Sequence, residues 1–384
     1  MQEIIVREGK KDDPKMTVLL EEAVNSYTKT YMAGNQALGR NLDANAMRNH
    51  FYRFPGVDND KDKTLSAMLR MAVIAQTQER YEKAPVETDE QRAEKAALEG
   101  LVKQLFVELK RDFKPSDLPP YTLVKLGMHL AGTSQPEESI AYFDEILDPS
   151  EPDPVRKKAR INGMSKYRKN AVFGKAVALG RSKDNAKVDT AIKMMRDELS
   201  KEESSSNPDR KAMEDAQYNL VKFTSARQDW PAVIAAADKY RENKTYKKNL
   251  PEVLYLQGEA YLKQNELDKA LINFMNITGT YKGLVKWSAP AVLAQMDTLW
   301  KRNTMSQGAG KQPSDRYVAW KAGSQYVQLL DTPANRKKMT AEDSALVNEV
   351  KDKTAKFGSD PAVSQERADI AAYEAAVRAA KGQK

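Results

Sequence analysis

Apolar side chains in this chain recur at spacings of three and four, and short breaks rich in proline, glycine and serine cut the pattern into helix-sized lengths. That rhythm restricts the fold more than any other feature. Spacings of three and four put apolar groups on one side of a helix, whereas a half-buried strand alternates from residue to residue. Strand-type alternation of β-branched residues is almost absent, and the helix formers Ala, Lys, Glu, Leu, Gln, Met and Arg dominate. With 41% hydrophobic and 30% charged residues, the composition suits helices that bury one stripe and expose a charged outer face. Leu, Ile, Val and aromatic residues recur along all 384 positions, so the high charge does not signal disorder. The expected fold class is all-α.

The breaks divide the chain. A helix is predicted to start near Thr17, with Val18, Leu20, Val24, Tyr27 and Tyr31 on its apolar face. Residues 55–63 are turn-rich, and further helices are predicted over about 64–83 and 89–113. Pro115, Pro119 and Pro120 close this N-terminal helical segment, 1–115. Amphipathic helices and short breaks then alternate through a repeat region, 116–303. A loop over about 303–314 opens the last segment, 304–384, with helices over about 315–331, 341–356 and from about 362 onward.

Within the middle segment one pattern stands out. Over Pro251–Lys282, Leu254, Gly258 and Tyr261 fall on a first helix, Asn265 and Glu266 at the turn, and Ala270 and Phe274 on a second helix. Small residues at Gly258 and Ala270 let two antiparallel helices cross closely, and Tyr261 and Phe274 fill the space toward a neighbouring pair. The pattern returns at Leu123, Gly127, Leu130, Ser139 and Phe143. A third copy aligns Val233 and Ala237 with Ala270 and Phe274, Trp230 with Leu267, and Leu220 and Val221 with Gln257 and Gly258. A fourth places Ala191 and Met195 on the second helix, with Leu179 twelve residues before Ala191. A fifth is split by the loop, with Ala294 before it and Ala322 and Tyr326 after it.

This pattern resembles the tetratricopeptide-repeat family, in divergent form. The resemblance covers about half the chain. It implies antiparallel helix-turn-helix repeats stacked into an irregular right-handed superhelix; successive copies stand 37 to 52 residues apart, against the regular family period. It also implies that the first helices line a groove for extended peptides or partner helices. The groove positions would be Glu252, Tyr255, Glu259 and Lys263 in one unit, and Asp215, Tyr218 and Lys222 in another. The candidate partner-binding residues are thus Tyr218, Lys222, Tyr255, Glu259 and Lys263. Tyr218 and Tyr255 recur at one groove position, and tyrosine offers a large contact area with a hydroxyl at its tip. Plain coverage of neighbouring helices is an equally open reading of both. Some family members clamp a peptide carboxylate with Lys and Asn; Asn219 and Lys222 are present, but Tyr218 and Tyr255 stand where a Lys would be wanted, so that clamp is not expected.

Catalytic chemistry finds little to build on. The chain has no cysteine, which removes disulfides, thiolate metal sites and thiol nucleophiles. Neither His50 nor His129 has a His, Asp or Glu at metal-ligand spacing, and His129 is expected to be packed or half-exposed on its helix. Asp58, Asn59, Asp60 and Asp62 lack the glycine a calcium loop needs at its sixth position. Gly308–Lys311 lacks the first glycine and the Ser/Thr of a phosphate loop, and no apolar strand precedes it. Adjacent acids such as Asp144 and Glu145 point to different sides of a helix. No catalytic residue, metal or cofactor is expected.

The net charge is +8, from 62 Lys and Arg against 54 Asp and Glu, and its basic runs are short. A nucleic-acid surface concentrates such charge on one face among aromatics, so no nucleic-acid partner is expected. No run of about 18 apolar residues exists, and no membrane span is expected. The first ten residues are too polar for a signal peptide, although a chain beginning after a removed signal would look the same. Lack of cysteine fits an exported bacterial protein and many cytosolic ones; a periplasmic or extracellular location is favoured over a cytoplasmic one. The functional expectation is a non-enzymatic scaffold for protein–protein contact in a bacterial cell envelope, with a helical surface-assembly oligomer and a nucleic-acid-binding helical protein as alternatives. Trp287, Trp300 and Trp320 are expected to cluster near the loop, chiefly anchoring the C-terminal helices.

Overall fold

The computed structural model describes residues 14–38, 63–86, 88–308, 310–336 and 339–382. His50 and the acidic loop after Pro55 lie outside them. All regular structure among the described residues is helical. Contacts divide the chain into two compact units, between Met194 and Met195.

The first unit contains α1 (Pro14–Ala37), α2 (Lys63–Lys83), α3 (Asp89–Asp112), α4 (Pro120–Ala131), α5 (Ile140–Leu147), α6 (Pro154–Gly163) and α7 (Arg168–Gly180), and the start of α8 (Asn185–Glu203). Short 3-10 turns at Pro115–Asp117, Pro136–Ser139 and Ser165–Tyr167 join them. The prolines that mark breaks in the sequence start helices: Pro120 and Pro154 sit in first turns, where a missing N–H costs nothing. Asp153 caps α6 by accepting the Arg156 N–H at 2.8 Å, and Thr88 and Gln91 form a capping box on α3. The core gathers Met71, Ile74, Leu109, Leu123, Leu126, Phe143 and Ile146. Phe143 is fully buried, and both Gly127 on α4 and Gly174 on α7 face its ring. His129 is half-buried, with its ring stacked on Phe106 at 3.9 Å. Burial, with Lys103 nearby, holds its pKa below the usual imidazole value.

The second unit continues with α9 (Arg210–Ala226), α10 (Trp230–Glu242), α11 (Leu250–Lys263), α12 (Leu267–Thr280), α13 (Val285–Arg302), α14 (Asp315–Leu330), the short α15 (Pro333–Arg336), α16 (Ala341–Gly358) and α17 (Pro361–Gly382). Each helix from α9 to α13 packs on its successor, and alternate helices α9, α11 and α13 also touch in turn. The α9–α10 and α11–α12 pairs are built alike. Gln228 and Asn265, a step of 37 residues apart, both adopt the left-handed conformation, with φ of 58° and 63°. Beside them the Asp229 and Glu266 N–H groups donate to the Thr224 and Tyr261 carbonyls, five residues back in each case. That 6→1 bond and left-handed residue form one helix-terminating turn used twice. The same step pairs Val233 with Ala270, and Ala237 with Phe274, all fully buried.

The fifth, loop-split pair forms as α13 against α14. Ser288 and Tyr326 share a hydrogen bond of 2.7 Å, and burial pushes the Tyr326 phenol up to about 12. The tryptophans do not make one cluster. Trp300 stacks on Phe357 at 3.9 Å, and the Arg367 guanidinium lies 4.1 Å from the Trp320 ring centre, so both fasten the C-terminal helices. Trp287 belongs elsewhere, 6.5 Å from the Tyr255 ring.

Candidate partner-binding face

Helices α9 and α11 carry the five residues marked in the sequence. Because these helices touch, Tyr218 and Lys222 on α9 meet the first turn of α11. The Tyr218 hydroxyl donates to the Glu252 carboxylate at 2.5 Å. Lys222 stands 3.5 Å from the other Glu252 oxygen, and its ammonium lies 5.2 Å from the Tyr218 ring centre. One carboxylate thus joins both residues. Burial, then the Glu252 bond, raises the Tyr218 phenol far above its usual range, so it is a neutral donor.

Tyr255 and Glu259 are one helical turn apart on α11, where the carboxylate acts on the phenol. The Tyr255 ring stands 5.9 Å from Phe274 of α12 as well as beside Trp287 of α13, so it bridges two helix pairs. Its phenol is also held well above the ordinary value, first by burial and then by Glu259. Burial likewise lifts the Glu259 carboxyl, against Tyr255 and the Lys263 charge, which pull it down. Lys263 is exposed at the end of α11. The five residues therefore lie along one strip, in two clusters, around Glu252 and around Glu259.

The linking role of Glu252 was not legible from its groove position alone. A charge at 252 opposite Lys222 becomes meaningful only once α9 and α11 are known to touch. Asn219 turns back on its own helix, donating to the Asp215 carbonyl at 2.8 Å, and Lys222 is engaged by Glu252. The arrangement does not assemble a carboxylate clamp. In the 303–314 loop the Lys311 N–H is used locally, donating to the Gly308 carbonyl at 3.1 Å; Ala309 lies outside the described residues.

Among the described residues no group of His, Asp or Glu is placed to hold a metal ion, and no helix is long and apolar enough to cross a membrane. No family model matches the chain, and no curated protein matches it significantly.

Proposed function

We propose that this chain is a non-enzymatic scaffold of tetratricopeptide-like helix pairs, which binds a protein or peptide partner along the strip on α9 and α11. One observation carries the reading. Tyr218 and Tyr255 occupy equivalent places, one 37-residue step apart, on two touching helices that end in the same turn. Equivalent side chains repeated along adjoining helices suit an extended ligand, which offers similar groups at intervals. Both phenols are neutral and half-buried, with rings already fixed by packing, so contact costs them little side-chain entropy. The envelope location remains part of the proposal, supported by the cysteine-free composition.

The test is crosslinked affinity capture from native extract with the full chain, comparing the wild type with a Tyr218→Ala/Tyr255→Ala double variant. Truncating two contact tyrosines removes roughly 2 kcal/mol or more, so capture should fall by more than about tenfold. A Tyr218→Phe/Tyr255→Phe variant keeps the rings and reads the hydroxyls separately. Undiminished capture by an alanine variant that retains its helical circular dichroism would sink the proposal.

A further inference from the structure

A second feature of the same unit lies away from the Tyr218–Lys263 strip, where α10 ends, α11 begins and α12 ends. The segment Asn243–Asn249 joins α10 to α11 and borders a cleft of about 650 Å³. Three cations line it, Arg241, Lys244 and Lys247, and no Asp or Glu does. The wall is thus basic, with three cations among its ten residues.

The bland explanation is that these cations offset helix ends. The C-termini of α10 and α12 both reach the cleft, and each carries the equivalent of about half a negative charge. Together they balance roughly one of the three cations. Arg241 is partly engaged as well, donating to the Gln257 side-chain oxygen at 2.7 Å and standing 4.0 Å from Asp238. Counting Asp238 wholly against it still leaves about one uncompensated positive charge at the wall. Lys244 and Lys247 are both exposed, and neither has a carboxylate partner among the described residues.

Neutral donors complete the wall. The Asn243 side-chain oxygen accepts from both the Thr245 N–H at 3.1 Å and the Thr245 hydroxyl at 2.7 Å. Its amide NH2 turns one N–H to the Tyr246 hydroxyl, which leaves the second N–H for a ligand. Asn276 and Thr280 add polar groups from α12, while Leu250, Leu254 and Tyr281 supply apolar surface. Two lysines, an arginine and an amide suit a compact oxyanion of more than one charge. The apolar remainder is far larger than a bare phosphate needs, and suits an attached ring.

We infer that this cleft binds a small phosphorylated molecule, with its phosphate held by Lys244, Lys247 and Arg241 and an apolar ring laid against Leu250, Leu254 and Tyr281. The inference does not depend on the partner-binding strip. The probes are inorganic phosphate and phenyl phosphate, titrated into the full chain by calorimetry at an ionic strength fixed with potassium chloride. Phenyl phosphate should bind more tightly than inorganic phosphate, and a Lys244→Gln/Lys247→Gln variant should weaken both by at least about tenfold without lowering the melting temperature. A Lys321→Gln/Lys356→Gln variant, changed far along the sequence on α14 and α16, removes the same net charge and should leave both affinities unaltered. Equal losses in the two variants would reduce the effect to overall charge and overturn the site. No heat above that of chloride, or affinities unmoved by the first variant, would also overturn it. Equal affinity for the two probes would overturn the assignment of a ring-bearing ligand.

Discussion

At the scale of single residues, packing is decided by which partner of a facing pair is small. Phe143 is fully buried between Gly127 and Gly174, and a Cβ added to Gly174 would stand 2.2 Å from its ring. The ring is enclosed and has nowhere to swing, so Gly174→Ala should destabilise the first unit by about 1–3 kcal/mol. A urea titration followed by circular dichroism measures it; an unchanged midpoint would show that the ring can give way. The sixteen-residue offsets from Gly127 to Phe143 and from Gly258 to Phe274 were legible in the sequence, and both pairs meet in the structure. The equivalent pair one step earlier is Val221 and Ala237, both fully buried. There the larger side chain stands on the first helix and the smaller on the second. A template demanding a small residue at one position reads this pair as degenerate, although its combined shape still fills the space. Gly174 escaped the reading altogether, because nothing in the sequence says that a third helix closes on Phe143.

At the scale of elements, the helices were read well because their ends carry local chemistry. Prolines in first turns, the Asp153 and Asp209 caps, and the Thr340–Asp343 capping box all lie beside the breaks seen in the sequence. Which helix ends pair with which neighbours is a tertiary matter and was not legible. Asp112, the last residue of α3, shows this. Its carboxylate is held down to about 2 by Arg111 beside it, and also by Arg70 of α2, 2.5 Å away, against the opposing effect of burial. A carboxyl whose folded pKa is depressed stabilises above its unfolded value near 3.8, and loses that contribution as pH falls toward 2. Asp112→Asn should therefore cost stability at neutral pH and make the first unit less sensitive to acid between about pH 4 and 2. Melting curves across that range check it, and parallel pH profiles for variant and wild type would contradict the assignment.

At the scale of the whole molecule, α9 to α14 rest mainly on near neighbours in sequence. Such stacking makes stability a sum of helix-pair and interface contributions, with limited communication along the chain. Gly258→Ala places a Cβ 2.6 Å from the Phe274 ring, a disturbance confined to the α11–α12 pair. Amide hydrogen exchange should lose protection across residues 250–280 and keep it across 120–180. Loss in both regions would show cooperation across the full length. The sequence reading captured the all-helical class and the helix-pair plan in the second unit. The contact division falls within the continuous helix α8, where no composition shift exists to mark it.

The turn shared by Gln228 and Asn265 bears on how a chain like this can change in length. Because both helix pairs leave their first helix through the same backbone geometry, the interval between the two turns is a natural unit of insertion and loss. Excising 228–264 would join Arg227 directly to Asn265, so α9 would run through the existing turn into α12. Val221 would then face Phe274, two large groups where each original pair had one. An ancestral duplication or deletion at this joint would need only a single compensating change of side-chain size to settle.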